Sequence, residues 1–119
     1  MHELSVCQAL IGQLEALARE QQASRVLNVL VGIGPLSGVE PGLLRHAFPL
    51  AAAGTLAQDA ELTIEDRPVR VHCLQCGEDS EASVNRLLCG HCGDWRTELL
   101  SGDELMLVQV EFMRERAYV

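Results

Sequence analysis

Two Cys-x-x-Cys pairs, Cys73/Cys76 and Cys89/Cys92, are separated by twelve residues, Gly77 to Leu88. Two short-spaced thiol pairs can converge on one tetrahedral ion, and zinc is the usual occupant of such a four-sulfur set. Four sulfurs close the coordination sphere, so the site reads as structural rather than catalytic. Gly77 and Gly93 follow the two pairs. A tight knuckle that aims backbone N–H groups at sulfur needs a residue tolerant of left-handed φ, and glycine meets that need. Two disulfides in a secreted fragment are the weaker reading of the same cysteines.

The rest of the composition bounds the surroundings of this site. A chain of 119 residues with 48% hydrophobic content can bury a core as one domain, or as one domain with a small insert. Glu3, Glu15, Arg19 and Glu20 interrupt any apolar run near the start, so no secretory signal is expected there. The apolar stretch around Val26 to Leu36 is too short and broken to span a bilayer. A cytoplasmic setting, where thiols stay reduced, follows as the expectation. The formal charge is −8, with nine arginines and no lysine. Zinc on four thiolates would take it to about −10. Such a chain repels nucleic acid unless a basic patch intervenes, and Glu78, Asp79 and Glu81 outnumber Arg86 between the cysteine pairs. The charge suits metal handling or a basic protein partner.

Hydrophobic periodicity outlines an α+β body. Ser5 to Gln21 reads as an amphipathic helix on Val6, Leu10, Leu14 and Leu17, with Ser5 as a candidate cap. Leu27, Val29, Val31 and Ile33 alternate as a strand that Gly34-Pro35 ends. Pro41 opens a second helix that Gly54 can stop, with a kink or early end expected at Pro49. Leu62 and Ile64 mark another strand, and Val69 and Val71 lead into the cysteines. Leu105 to Arg114 forms the last strand, with Met106, Val108, Val110 and Phe112 expected on one face. The cysteine module therefore interrupts the body. The expected division is residues 1–70 and 98–119 as one domain and 71–97 as a zinc-ribbon-like insert.

Met1-His2-Glu3 offers a second candidate metal site. A free α-amine, the backbone amide of residue 2 and the His2 imidazole can chelate one ion in fused rings. Such a nitrogen set suits Ni(II) or Cu(II), and Glu3 adds a carboxylate and another amide. An N-terminal histidine is more often a solvated chain end.

Met1-His2-Glu3-Leu4, Cys7-Gln8, Ile33-Gly34, Leu36-Ser37 with Val39, the double Cys-x-x-Cys, Gly102-Asp103-Glu104-Leu105 and Val110-Glu111 occur in one order along the chain. Together they closely resemble the HypA/HybF family of hydrogenase maturation factors. The resemblance implies a small nickel-binding domain with two helices and a few-stranded, mostly antiparallel sheet, plus an inserted zinc domain. It implies Ni(II) as transient cargo at Met1, His2 and Glu3, and structural zinc at Cys73, Cys76, Cys89 and Cys92. It also implies a non-catalytic role beside a maturation GTPase and the [NiFe] hydrogenase large subunit, with urease maturation proteins as further partners of some members. Neither nucleic acid nor membrane is expected as a partner. The chain departs from the family at Gly90-His91, where a proline often follows the first cysteine, so a looser second knuckle is expected. Pro49 stands where many relatives continue the helix.

The remaining candidates have blander readings. His72 and His91 are expected as exposed residues beside the thiols, with ligand exchange as the alternative. His46 is expected as a partly buried or surface residue without metal, and Cys7 as a small buried hydrophobe. Trp95 is expected to pack the zinc module against its neighbours, and Glu78 to Glu81 to form a solvated loop. Two rival functions remain. One is a zinc-ribbon adaptor for nucleic acid or protein, disfavoured by the acidic balance. The other is a rubredoxin-like iron protein, disfavoured by an aromatic content of 3%. No nucleophile–base set points to an enzyme.

Overall fold

The computed structural model describes residues 3–114. Helix α1 (Glu3–Gln21) starts two residues before the expected Ser5, which lies within its first turn. Its buried face is Val6, Cys7, Leu10, Ile11, Leu14 and Ala18. Ala18 takes the place expected for Leu17, which is exposed. The helix ends where Gln22 turns to φ 53 and the Ala23 N–H reaches back to the Ala18 carbonyl at 2.8 Å. Strand β1 (Arg25–Ile33) buries Val26, Val29, Val31 and Ile33. Helix α2 (Pro41–Ala52) begins with proline in its first turn, where the missing N–H leaves no bond unmade. The Glu40 carboxylate caps it by accepting from the Leu43 N–H at 2.7 Å. The helix runs through Pro49 and ends one turn later at Ala52, just before Gly54 at φ +76.

Strands β2 (Glu61–Asp66) and β6 (Leu105–Met113) flank β1 in a three-stranded sheet ordered β2-β1-β6. The Ser24 N–H meets the Met113 carbonyl at one end and the Gly34 N–H meets the Glu104 carbonyl at the other. These two bonds show that β1 and β6 run in opposite directions. Val26 bonds to Leu56 and Arg67 to Ile33, so β1 and β2 run the same way, with α2 in the crossover that parallel pairing requires.

A second sheet, ordered β4-β3-β5, is antiparallel throughout: β3 (Arg70–Cys73) pairs with β4 (Asp79–Glu81) and with β5 (Thr97–Ser101). Antiparallel pairs thus predominate in an α+β fold. The acidic stretch expected as a loop is in fact edge strand β4, because its backbone pairs with β3 while Asp79 and Glu81 face water. Strand β5 was not legible, since Glu98-Leu99-Leu100 lacks alternation. Its pairing with β3 shifts register between Arg70 and Val71. In β6, Met106 and Val108 are exposed, at 40% and 41%, whereas Val110 and Phe112 are half-buried. Leu105 to Val108 is apolar on both faces, so its alternation carried no phase.

The chain divides into two compact units, one of Gly32–Gly38 with Glu65–Met106, the other of Val39–Ile64 with the chain before Gly32 and after Met106. In the latter, α1 contacts α2, and Leu14, Leu44, Val26, Val29 and Val31 are its large enclosed side chains. The unit holding the cysteines is wider than residues 71–97 for two reasons. Strand β5 extends its sheet to Ser101, and residues 32–38 join it through a close backbone crossing.

That crossing brings Gly34 against Gly102. The Leu36 N–H donates to the Gly102 carbonyl at 2.7 Å, and the Gly102 N–H to Glu104 Oε1 at 2.8 Å. A Cβ on Gly34 would stand 2.1 Å from the Gly102 carbonyl oxygen. Gly34→Ala is therefore expected to destabilise the protein by about 2–3 kcal/mol or to prevent folding, as overpacking against backbone does. Gly12 lies in α1 with open space around it, so Gly12→Ala is expected to stabilise by about 0.5–1 kcal/mol. Urea melts of both variants check the pair, and a neutral Gly34→Ala would contradict the account of the crossing.

Candidate metal centre

The two Cys-x-x-Cys segments fold into matching knuckles. In the first, the Cys73 N–H bonds to the Glu78 carbonyl and the Gly77 N–H to the Cys73 carbonyl, at 2.9 and 3.0 Å. In the second, Cys89 bonds to Asp94 and Gly93 to Cys89 with the same spacing, both at 3.0 Å. Gly77 at φ 79 and Gly93 at φ 77 turn the chain, as their positions after the pairs required. Strand β3 ends on Cys73, and an antiparallel return through β5 keeps the second knuckle beside the first.

The four sulfurs meet. Cys73 and Cys92 approach to 3.6 Å, as do Cys76 and Cys89, and all four sulfurs lie within 4.8 Å of one another. A tetrahedral ion with metal–sulfur bonds of about 2.3 Å needs sulfurs about 3.8 Å apart, so the quartet fits a zinc-sized ion. Backbone donors prepare the thiols for that charge. The Cys76 N–H points at the Cys73 sulfur at 3.3 Å, and the His91 and Cys92 N–H groups point at Cys89 at 3.3 and 3.4 Å. The Cys92 donor, with His91 beside it, pulls the Cys89 thiol down to about 6 against the opposing loss of water. The Cys76 donor lowers Cys73 in the same way. At Cys76 the Glu78 N–H pulls downward, but lost hydration and the neighbouring thiols prevail and push it up to about 12. Without a cation, packed sulfurs cannot all ionise; a divalent ion removes that conflict.

The second knuckle is not looser for lacking proline. The Gly90 N–H, which proline would not have, donates to Ser80 Oγ on β4 at 2.8 Å. Arg96 pairs with Asp94 through Nε and Nη2 of its guanidinium, at 3.0 and 2.9 Å, holding Asp94 down to about 2. Its guanidinium lies 5.9 Å from the centre of the Trp95 ring. Trp95 does not pack the module as expected; it is 75% exposed, because the knuckles are held by backbone bonds and sulfur rather than by an aromatic plug. His72 Nδ1 lies 2.7 Å from Asp79 Oδ1, and His91 and His46 are exposed. None of these histidines joins the quartet.

Of the terminal tripeptide, Met1 and His2 lie outside the described residues. Glu3 opens α1, half-buried, and its Oε2 accepts from the Glu40 N–H at 3.5 Å. The chain's third residue thus reaches the capping residue of α2, a pairing across 37 positions that no local pattern announces. Cys7 is fully buried and its Sγ donates to the Leu44 carbonyl at 3.6 Å. Burial, and then the Glu3 carboxylate, push its thiol up.

A four-thiol metal centre on a small antiparallel sheet in one unit, and an α/β fold in the other, define a two-unit metal-binding protein. A family model described as "Hydrogenase/urease nickel incorporation, metallochaperone, hypA" matches residues 1–112. A hydrogenase maturation factor HypA from Nitrosospira multiformis is 48% identical over 113 residues, covering 95% of this chain and 98% of that protein. One from Aquifex aeolicus is 42% identical over 111 residues, covering 93% and 96%. The solution structure of the Ni metallochaperone HypA from Helicobacter pylori superposes with a TM-score of 0.75 at 31% identity, covering 97% of this chain and 100% of that one. The chain belongs to the HypA family. Among the described residues, no helix is long and apolar enough to cross a membrane.

The burial of Cys7 leads to one expectation. In the native protein stripped of metal, Cys7 resists a thiol reagent that consumes the exposed Cys76 and Cys92 within minutes; all five cysteines react once the chain is denatured. Counting thiols under both conditions checks this, and rapid labelling of native Cys7 would contradict its enclosure.

Proposed function

We propose that this chain is a non-catalytic nickel carrier that holds Ni(II) at its amino terminus and delivers it to the [NiFe] hydrogenase large subunit. In this reading the carrier works in the cytoplasm, in a complex with the maturation GTPase. The observation that carries the reading is the family match, which runs from the first residue and so includes the terminal tripeptide. The Met1 amine, the backbone amide and the His2 imidazole supply a compact nitrogen set, and Glu3 supplies an acidic neighbour. The hydrogen bond from Glu40 to Glu3 supports the reading, because it ties the base of that tripeptide to the second helix.

Structural zinc at Cys73, Cys76, Cys89 and Cys92 completes the proposal. The sulfur spacing and the N–H donors support that assignment. A closed sulfur shell holds a unit together without offering nickel a free position. Nickel capture and release then depend on the protons at this terminus: binding requires a neutral imidazole and amine and a deprotonated amide, so affinity falls as pH drops. Delivery follows when a client's own ligands replace the terminal nitrogens inside the complex. Service to urease maturation belongs to the same chemistry, with the client setting the outcome.

The test is nickel titration of the untagged protein beside two variants, His2→Ala and a chain extended at its amino terminus. Both changes are expected to lower nickel affinity at least tenfold while leaving one zinc per chain. Unchanged nickel binding by the extended chain would place the cargo site elsewhere.

A further inference from the structure

The four cysteines are not equivalent towards solvent. In each pair the first cysteine, Cys73 or Cys89, is buried, and the second, Cys76 or Cys92, is exposed. Two sulfur–sulfur contacts run across the knuckles, Cys76 to Cys89 and Cys92 to Cys73, each at 3.6 Å. Every exposed cysteine therefore has a buried cysteine of the other pair in sulfur contact. Susceptible thiols combine thiolate character with solvent access and stand beside a resolving cysteine. A metal supplies the first property by keeping the sulfurs deprotonated, and the exposure pattern supplies the rest.

We propose that Cys76 and Cys92 are modification sites for a hydroperoxide, and that their oxidation opens the metal centre through crossed disulfides, Cys76–Cys89 and Cys73–Cys92. This rests on the zinc reading of the quartet. The Cys76 thiolate attacks one peroxide oxygen, the O–O bond breaks, and hydroxide leaves a sulfenic acid behind. The Cys89 thiolate then attacks that sulfur, forming the S–S bond and expelling a second hydroxide. Two electrons pass from the sulfurs to the peroxide, and the hydroxides take up protons as water. Cys92 and Cys73 repeat the sequence with a second peroxide. Thiolate is the ligand form of cysteine, so disulfide formation removes the donors and the metal is released. A dithiol reductant with added zinc reverses the change.

The exposure pattern also separates this chemistry from the rest of the molecule. Cys7 is enclosed and far along the chain from the quartet, so it remains a thiol throughout.

The experiment uses the untagged full chain, purified under reducing conditions with its zinc counted first. A chain without zinc overturns the zinc reading, and this inference with it, before any oxidant is added. The zinc-loaded chain is then titrated with hydrogen peroxide beside a chromophoric zinc indicator, and its disulfides are mapped by mass spectrometry. Zinc release complete at about two peroxides per chain, with crossed pairs and reduced Cys7, is the expected result. In a parallel arm, limiting iodoacetamide on the zinc-loaded chain is expected to label Cys76 and Cys92 before Cys73 and Cys89. Zinc retained under peroxide, disulfides within Cys73/Cys76 and Cys89/Cys92, or prior labelling of the buried sulfurs each overturns the proposal while leaving the zinc reading intact.

Discussion

Four sulfurs packed within 4.8 Å are the constraint on which the second unit depends. Among the described residues, its buried apolar side chains are Ile33, Val69, Val71, Cys73 and Cys89, a small set in which two members belong to the sulfur quartet. So few apolar groups supply little hydrophobic stabilisation, and small modules of this kind obtain the balance from a metal. The short strands β3, β4 and β5 and the repeated knuckle bonds then serve one purpose. They hold thiols at a spacing that is unfavourable without a cation and favourable with one.

The other unit is held differently. Leu14, Leu44, Val26, Val29 and Val31 enclose an ordinary aliphatic core, and the buried Cys7 takes part in it as a small hydrophobe. The two modes of stabilisation suit two metal roles in the proposed function. A closed sulfur shell keeps its ion, whereas a chain terminus offers an exchangeable set of nitrogens that a client can displace.

Much of this was legible in the residues. The cysteine pairs with Gly77 and Gly93 specify a local device, and local devices can be read from spacing alone. The paired faces of α1 and the run of β1 also follow from periodicity, although Ala18 rather than Leu17 completes the helix face. What escaped the sequence was set at a distance. Strand β5 exists because β3 offers it a partner, and β4 carries acidic residues that read as loop until its backbone finds β3. Trp95 looked like a packing residue by type, but it stands exposed while backbone bonds hold the knuckle. The tie between Glu3 and Glu40 joins the start of one helix to the cap of another, and neither end hints at it. Gly34 and Gly102 form an instructive middle ground. Both stood in the motifs that marked the family resemblance, and the structure supplies the reason, a backbone crossing with no room for a Cβ.

In the proposed function the two metals occupy chemically different sites in one chain. X-ray absorption at the nickel and zinc edges of a single doubly loaded, untagged sample tests it most directly. The expected result is nickel surrounded by nitrogen and oxygen alone, and zinc by four sulfurs at about 2.3 Å. Sulfur in the nickel shell, or fewer than four sulfurs around zinc, would contradict it.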